Sequence, residues 1–426
     1  MNLLIKNGRV IDPVSKLDGI MDVVIEKGKI KRLGKGVKPG NHKVIEARGK
    51  VIVPGLIDMH THLREPGRED EETILSGSEA AARGGFSSVC VMPNTSPVID
   101  KEGIVEFIFS RSRQAALVDV YPIGAVTAGG NGTQLAEMGE LKRAGVIALS
   151  DDGNPVKNSY LMRQALEYSK MFDIPIISHC EDPDLAADGV MNEGYVSTLL
   201  GLRGIPSLAE ESMVSRDISL AELTGGRLHI AHLSCAGSVS LIKQAKKKGI
   251  RVTAETAPHY FTLTDEEVRT FDTNYKMNPP LRTQKDIEAI KKGLADGTID
   301  VIATDHAPHS EQEKDVEFDN APFGITGLET SLGLTLQELV RGKVLTINQL
   351  VEKMAVNPAR ILGLNKGSLA VGYDADITII DLEREWIVKE KDFKSKSKNS
   401  PFIGRKLKGM AVLTISRGKI VYESMA

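Results

Sequence analysis

The chain has 426 residues, 41% hydrophobic and 26% charged, enough apolar material for a large core. Lys plus Arg number 54 against 57 Asp plus Glu, and the net charge of -3 offers no global attraction to nucleic acid or an anionic membrane. Three scattered cysteines exclude a disulfide framework or a CxxC knuckle, no apolar run approaches the roughly 18 residues of a membrane span, and MNLLIKNGRV turns polar too early for a signal peptide, so a soluble chain in a reducing, cytoplasmic compartment is expected.

The first 55 residues read as short strands, LLIKNGRVID, DVVIEKGKIKRL and KVIEARGKVIV, rich in Val and Ile and broken by Gly-containing turns. The chain ends the same way, with DADITIIDL and AVLTISRGKIVYE, and IKNGRVID and ISRGKIVYE look like matching hairpins. The two ends are therefore expected to meet in one small β-sandwich domain, 1–55 with 366–426. From 56 to 365 the pattern changes: apolar runs at 51–62, 86–94, 118–127, 146–153, 174–182, 227–234, 251–260 and 300–309 alternate with helical segments such as 71–85, 159–172, 207–225 and 238–249. Eight such units predict an α/β fold, a (β/α)8 TIM-like barrel. An open doubly wound sheet would want a GxGxxG or a P-loop early in a βα unit, and neither is present.

Nearly every predicted strand ends in a residue able to bind a metal or donate a hydrogen bond, which is where barrel enzymes build their sites. His60 and His62 end the first strand, Asn94 the second, Thr127 the third, Asp151 and Asp152 the fourth, His179 the fifth, His232 the sixth, His259 the seventh and Asp305 the eighth. Residues two apart on a strand share a face, so His60 and His62 converge on one point. Asp152, in SDDGNP, reads equally as a ligand or as an ordinary turn residue. Asp305 follows an apolar strand, where a carboxylate is costly to desolvate without a cation. Four imidazoles and two carboxylates suit two divalent ions sharing a bridging ligand, with zinc favoured over manganese or cobalt. Ions so held activate water against a C–N, C–O or P–O bond, and Asp305 is the candidate base. Arg64 presents a fork to a carboxylate, and with Asn94 and His309 it would form an anion pocket. Cys180 and Cys235, beside the ligands, read as small buried residues.

HTHLREPG (60–67), VMPNT (91–95), SDDGNP (150–155), SHCED (178–182), HIAHLS (229–234), ETAPHY (255–260), KMNPPLR (276–282), TDHAPH (304–309), PFGITGLET (322–330) and NPARILGL (357–364) together resemble bacterial dihydroorotases of the amidohydrolase superfamily, over essentially the whole chain. The resemblance implies that His60, His62 and Asp305 hold one metal, His179 and His232 a second, and that Asp152 bridges them. It implies that Arg64, Asn94 and His309, beside His62, grip the substrate carboxylate, that Asn278 and the Phe323–Gly324 backbone line the pyrimidine ring, and that Asp305 shuttles the proton. The implied reaction is the reversible closure of N-carbamoyl-L-aspartate to L-dihydroorotate, the third step of pyrimidine synthesis. A homo-oligomer and a complex with aspartate transcarbamoylase are implied on the same ground.

Many relatives bridge their metals with a carboxylated lysine, and this chain has none at the fourth strand end. His259 reads as a supporting residue that orients a neighbour. The charged loop 306–325 reads equally as a mobile lid or a surface loop. The rival readings are a hydantoinase or dihydropyrimidinase, expected to carry the lysine and lack Arg64, and an inactive relative that scaffolds a partner enzyme, expected to have lost several ligands.

Overall fold

The computed structural model describes residues 2–424. Leu3–Asp12 pairs antiparallel with Leu17–Glu26 and parallel with Lys43–Glu46 and Val51–Pro54. Val51–Pro54 then pairs antiparallel with Ile377–Ile387, joining the N-terminal strands to Lys406–Ser416 and Lys419–Glu423 in one eight-stranded sheet. Inward residues such as Leu3, Ile5, Val23, Ile52, Ile377 and Val412 form an apolar cluster of its own.

Two expectations in this region need correction. IKNGRVID is not a hairpin but a single strand with a bulge between Ile5 and Gly8. Asn7 takes φ 60° there and donates its N–H to Asp22, while a Cβ on Gly8 would sit 2.4 Å from Ile52. Asn-Gly here makes a kink that admits a neighbouring strand, not a reversal. ISRGKIVYE does form a hairpin, turning at Arg417 and Gly418 with positive φ. The apolar run 51–62 is likewise two strands: Val51–Pro54 belongs to the terminal sheet, and Leu56–Thr61 opens the barrel. Gly55 makes the change of sheet, since a Cβ there would lie 2.2 Å from the Ser87 hydroxyl.

The eight barrel strands are Leu56–Thr61, Phe86–Val91, Asp119–Pro122 resuming at Gly124–Ala125, Leu149–Ser150, Ile176–Ser178, Leu228–Ile230, Val252–Thr256 and Val301–Ile302, each parallel to the next. The ring closes where the His62 N–H donates to the His306 carbonyl at 2.8 Å and the Thr304 N–H to Asp58 at 3.1 Å. Helices Ile74–Gly84, Ser159–Ser169, Ser207–Thr224 and Ala236–Lys247 fall where the periodicity predicts them. The first starts on a capping box of Thr73 with Ser76 and stops at Gly85, which takes φ 92°. The largest apolar cluster joins strand residues such as Phe86 and Val120 to helix residues such as Ile74 and Val214, and so binds the helices to the barrel. Cys90, Cys180 and Cys235 are buried free thiols.

Candidate metal centre and anion pocket

The strand ends converge. His60 Nε2 lies 3.3 Å from Asp152 and 3.4 Å from Asp305, and His62 Nε2 lies 3.4 and 3.3 Å from the same two carboxylates. Ligating atoms of His60, His62 and Asp305 fall within 4.8 Å of one another, as do those of His60, Asp152 and His232. His179 stands beside this cage, its Nδ1 2.8 Å from His232 Nε2 and 3.7 Å from Asp152. The fourth strand shows why one of its two aspartates turns inward: Asp151 accepts from the Val126 and Thr127 N–H groups and the Thr127 hydroxyl, leaving Asp152 to face the cage.

The donor set fits divalent cations. His60 Nε2, Asp152 Oδ1 and His179 Nε2 are buried without a hydrogen-bond partner, an arrangement expensive to maintain unless a cation satisfies the lone pairs. Their supports also aim them. Glu255 accepts a hydrogen bond from His60 Nδ1–H at 2.7 Å, and the Asn94 amide oxygen accepts one from His62 Nδ1–H at 2.8 Å, so both rings turn Nε2 to the cage. Arg64, His232 and Asp305 hold left-handed φ values of 59°, 30° and 50°, a strain of roughly 1–3 kcal/mol each that the surrounding contacts must offset.

The electrostatics agree. Burial alone would lower the His60 imidazole, yet Asp152 and Asp305 outweigh it and raise its pKa above the ordinary histidine value. Burial would raise both aspartates, but the imidazoles prevail: His60, His179 and His232 pull Asp152 below the usual carboxylate range, and His60, His62 and His232 do the same for Asp305. Glu255 is fully buried, but His229 and His60 hold it at about 2.

A second cluster lies beside the cage. Arg64 is half-buried against Glu71, with Nε 3.0 Å from its carboxylate, and donates to the Pro308 carbonyl at 3.1 Å. His309 faces Glu71 through Nδ1 at 2.8 Å, and its Nε2 lies 3.2 Å from Arg64 and 2.9 Å from the Phe323 carbonyl. Asn94 is exposed at the rim and, with its oxygen turned to His62, has no partner for its amide N–H groups among the described residues. Asn278 carries a buried side-chain oxygen without a partner. Gly324 has φ 128°, and a Cβ there would lie 2.7 Å from Ala307 and 3.2 Å from His309 Nε2. The loop 306–325 is tied down: Lys314 donates to the Thr273 and Pro322 carbonyls and Lys276 to those of Phe318 and Asp319.

Several contributors are invisible to motif reading. Glu71 lies in the run EDEE, where a solvated helix start is the natural reading, and Glu255 looks like one more strand residue. Their apolar or charged neighbours give no hint that each grips an imidazole. His259 differs from expectation: its Nε2 is buried without a partner and burial pushes its pKa down to about 4, so orienting the ligands falls to Glu255 and Asn94. His306 is structural, set between the Gly327 N–H and Glu72.

Residues 49–238 match a family model described as dihydro-orotase-like, and residues 223–422 one described as the amidohydrolase family. The chain is 59% identical to a dihydroorotase of Pelotomaculum thermopropionicum, covering 99% of each chain, and 56% identical to a dihydroorotase of Acetivibrio thermocellus, covering 98% of each. Among solved structures it resembles L-hydantoinase (dihydropyrimidinase) from Arthrobacter aurescens with a TM-score of 0.89 at 26% identity, covering 99% of this chain and 96% of that one. Dihydropyrimidinase from Brevibacillus agri gives a TM-score of 0.87 at 25% identity, covering 99% and 95%.

Proposed function

The chain belongs to the dihydroorotase family of amidohydrolases, and from that premise we propose that its cage and pocket interconvert N-carbamoyl-L-aspartate and L-dihydroorotate. The observation that carries this reading is the adjacency of two unlike clusters: a cage of imidazoles and carboxylates, and an Arg64–Glu71–His309 cluster at its rim. A cyclic amide bearing one carboxylate needs both, whereas an uncharged ring needs only the first.

His60, His62 and Asp305 would hold one divalent ion and His179 and His232 another, with Asp152 between them; zinc suits these donors. Ions of this kind polarise a carbonyl and lower the pKa of water. Asp305, ionised and buried, accepts the proton of the attacking water in the hydrolytic direction and delivers it to the ring nitrogen as the C–N bond breaks. In cyclisation the ureido nitrogen attacks the side-chain carboxyl carbon of the substrate, Asp305 takes the nitrogen's proton, and it returns that proton to the departing hydroxide, which leaves as water. Arg64 and the amide N–H groups of Asn94 grip the substrate carboxylate, while Glu71 keeps Arg64 and His309 in place. Asn278 and the Phe323–Gly324 backbone line the ring. All six candidate ligands are retained, which disfavours an inactive scaffold.

Family membership also supports a homo-oligomer, an association with aspartate transcarbamoylase and a cytoplasmic location. No described helix is long and apolar enough to cross a membrane. Sizing the chain alone and mixed with the transcarbamoylase tests the two assemblies. For the reaction itself, carbamoyl aspartate cyclisation is assayed with and without added zinc. The reading predicts metal-dependent formation of dihydroorotate; hydrolysis of hydantoin or dihydrouracil in preference to dihydroorotate would contradict it.

A further inference from the structure

The hairpin joining Ile377–Ile387 to Lys406–Ser416 does not turn tightly. Its intervening segment leaves the terminal sheet and runs along the mouth of the barrel, where residues 394–399 bond to three separate barrel segments. The Lys394 and Ser395 N–H groups donate to Glu329 at 2.7 and 3.0 Å, and the Lys396 N–H donates to Glu72 at 3.0 Å. The Ser397 hydroxyl donates to the Glu71 carbonyl at 2.7 Å. At the tip, Asn399, only 6% exposed, accepts the His309 N–H at 3.1 Å and donates to the Ala307 carbonyl at 3.2 Å and the Gly324 carbonyl at 3.1 Å.

Those three bonds use one acceptor site and both amide hydrogens, and they fix which way the amide points. Reversed, its oxygen would face two carbonyl oxygens. The two chain segments it joins are the arms of the strand-eight loop, already paired through the Ala307 N–H and the Ile325 carbonyl at 2.8 Å. One arm carries His309 and the other Phe323 and Gly324. Their approach is close enough that Gly324 tolerates no Cβ. The arms also meet directly, His309 Nε2 lying 2.9 Å from the Phe323 carbonyl, but among the described residues Asn399 is the side chain from outside the loop that bonds both arms here, since Lys314 and Lys276 hold the loop further out along its length.

We propose that Asn399, contributed by the connection between two strands of the terminal β-sheet, is a positioning residue for substrate recognition: its amide sets the spacing between His309 and the Phe323–Gly324 backbone. The proposal rests on the dihydroorotase reading of those residues. All three side-chain bonds of Asn399 go to the loop arms and none to a cage residue. Its effect is on how well the two arms fit the carboxylate and ring, so it falls on substrate affinity and spares the chemical step.

The test compares wild type, Asn399→Asp and Asn399→Ala in dihydroorotate hydrolysis, with KM, kcat, bound metal and melting temperature measured for each. Val412→Ala, which removes methyls from the terminal sheet's own core, supplies a destabilised control with the arms intact. Asn399→Asp keeps the acceptor and loses both donors, so its KM is expected to rise about tenfold while kcat and metal content stay near wild type. The control should show a lowered melting temperature with wild-type KM. A wild-type KM in folded Asn399→Asp, or the same KM change in Val412→Ala, overturns the proposal. Should Asn399→Asp fail to fold, Asn399→Gln, which carries the same amide on a longer stem, decides by the same KM criterion. Absence of dihydroorotate turnover in the wild type would sink the reading of the reaction, a result distinct from either.

Discussion

The cage and the pocket beside it are built on opposite terms. Cage atoms sit on strand ends and face one another with little to bond: His60 Nε2, Asp152 Oδ1 and His179 Nε2 are buried and unpartnered. In the pocket the charged groups are already engaged, with Arg64, Glu71 and His309 tied to one another and Asn399 clamping the loop arms, and the amides of Asn94 and Asn278 are what is left open. The difference separates two kinds of preparation. A site for a cation keeps lone pairs in reserve, while a site for an anion fixes its donors in advance so that little ordering is left to binding.

The comparison breaks most sharply at Asp305. Asp305→Asn keeps the shape and removes the proton acceptor, so kcat for dihydroorotate should fall by about 10³-fold, followed by direct assay with metal analysis alongside. Activity within a few fold of wild type at normal metal content would remove Asp305 from the chemistry. Arg64→Met acts on the other side. KM for dihydroorotate should rise by about 10²-fold, with no matching change for dihydrouracil, a ring amide without the carboxylate; equal changes would mean the pocket does not read charge. Glu71→Gln loses one charge and leaves Arg64 and His309 less firmly held. It should reduce kcat/KM for dihydroorotate about tenfold without loss of metal, and loss of metal instead would place Glu71 with the cage.

The smallest effect concerns the loop that bears His309. Burial pushes the Lys314 ammonium down to about 7, with neighbouring Lys276 adding to it and Asp272 and Glu313 opposing. The unfolded chain retains that proton up to the ordinary lysine value, so between these limits it binds more protons than the folded protein and stability rises with pH. Lys314→Met should flatten that rise in melting temperature between neutral and mildly alkaline pH. An unchanged slope would mean that Lys314 stays charged in the fold.

The cage was legible in the sequence because a barrel puts its site at strand ends, and His60, His62, His179, His232 and Asp305 each follow an apolar run. The barrel itself was legible for the same reason, through eight alternating units. What escaped notice depends on contacts across long separations. Glu255 meets His60 from 195 positions away, and Asn399 meets Ala307 from 92; nothing in their neighbours in the chain announces a partner. Local backbone demands were hidden too. Asn7-Gly8 makes a bulge and Gly55 a change of sheet because of what packs against them, Ile52 and Ser87.

The most direct measurement is a zinc titration of chelator-stripped protein, following bound metal and carbamoyl aspartate cyclisation in the same samples. Activity should return in step with bound ion and level off at about one to two per chain. Full turnover in protein that holds no metal would contradict the account, since the buried lone pairs at the barrel mouth would then serve some other purpose.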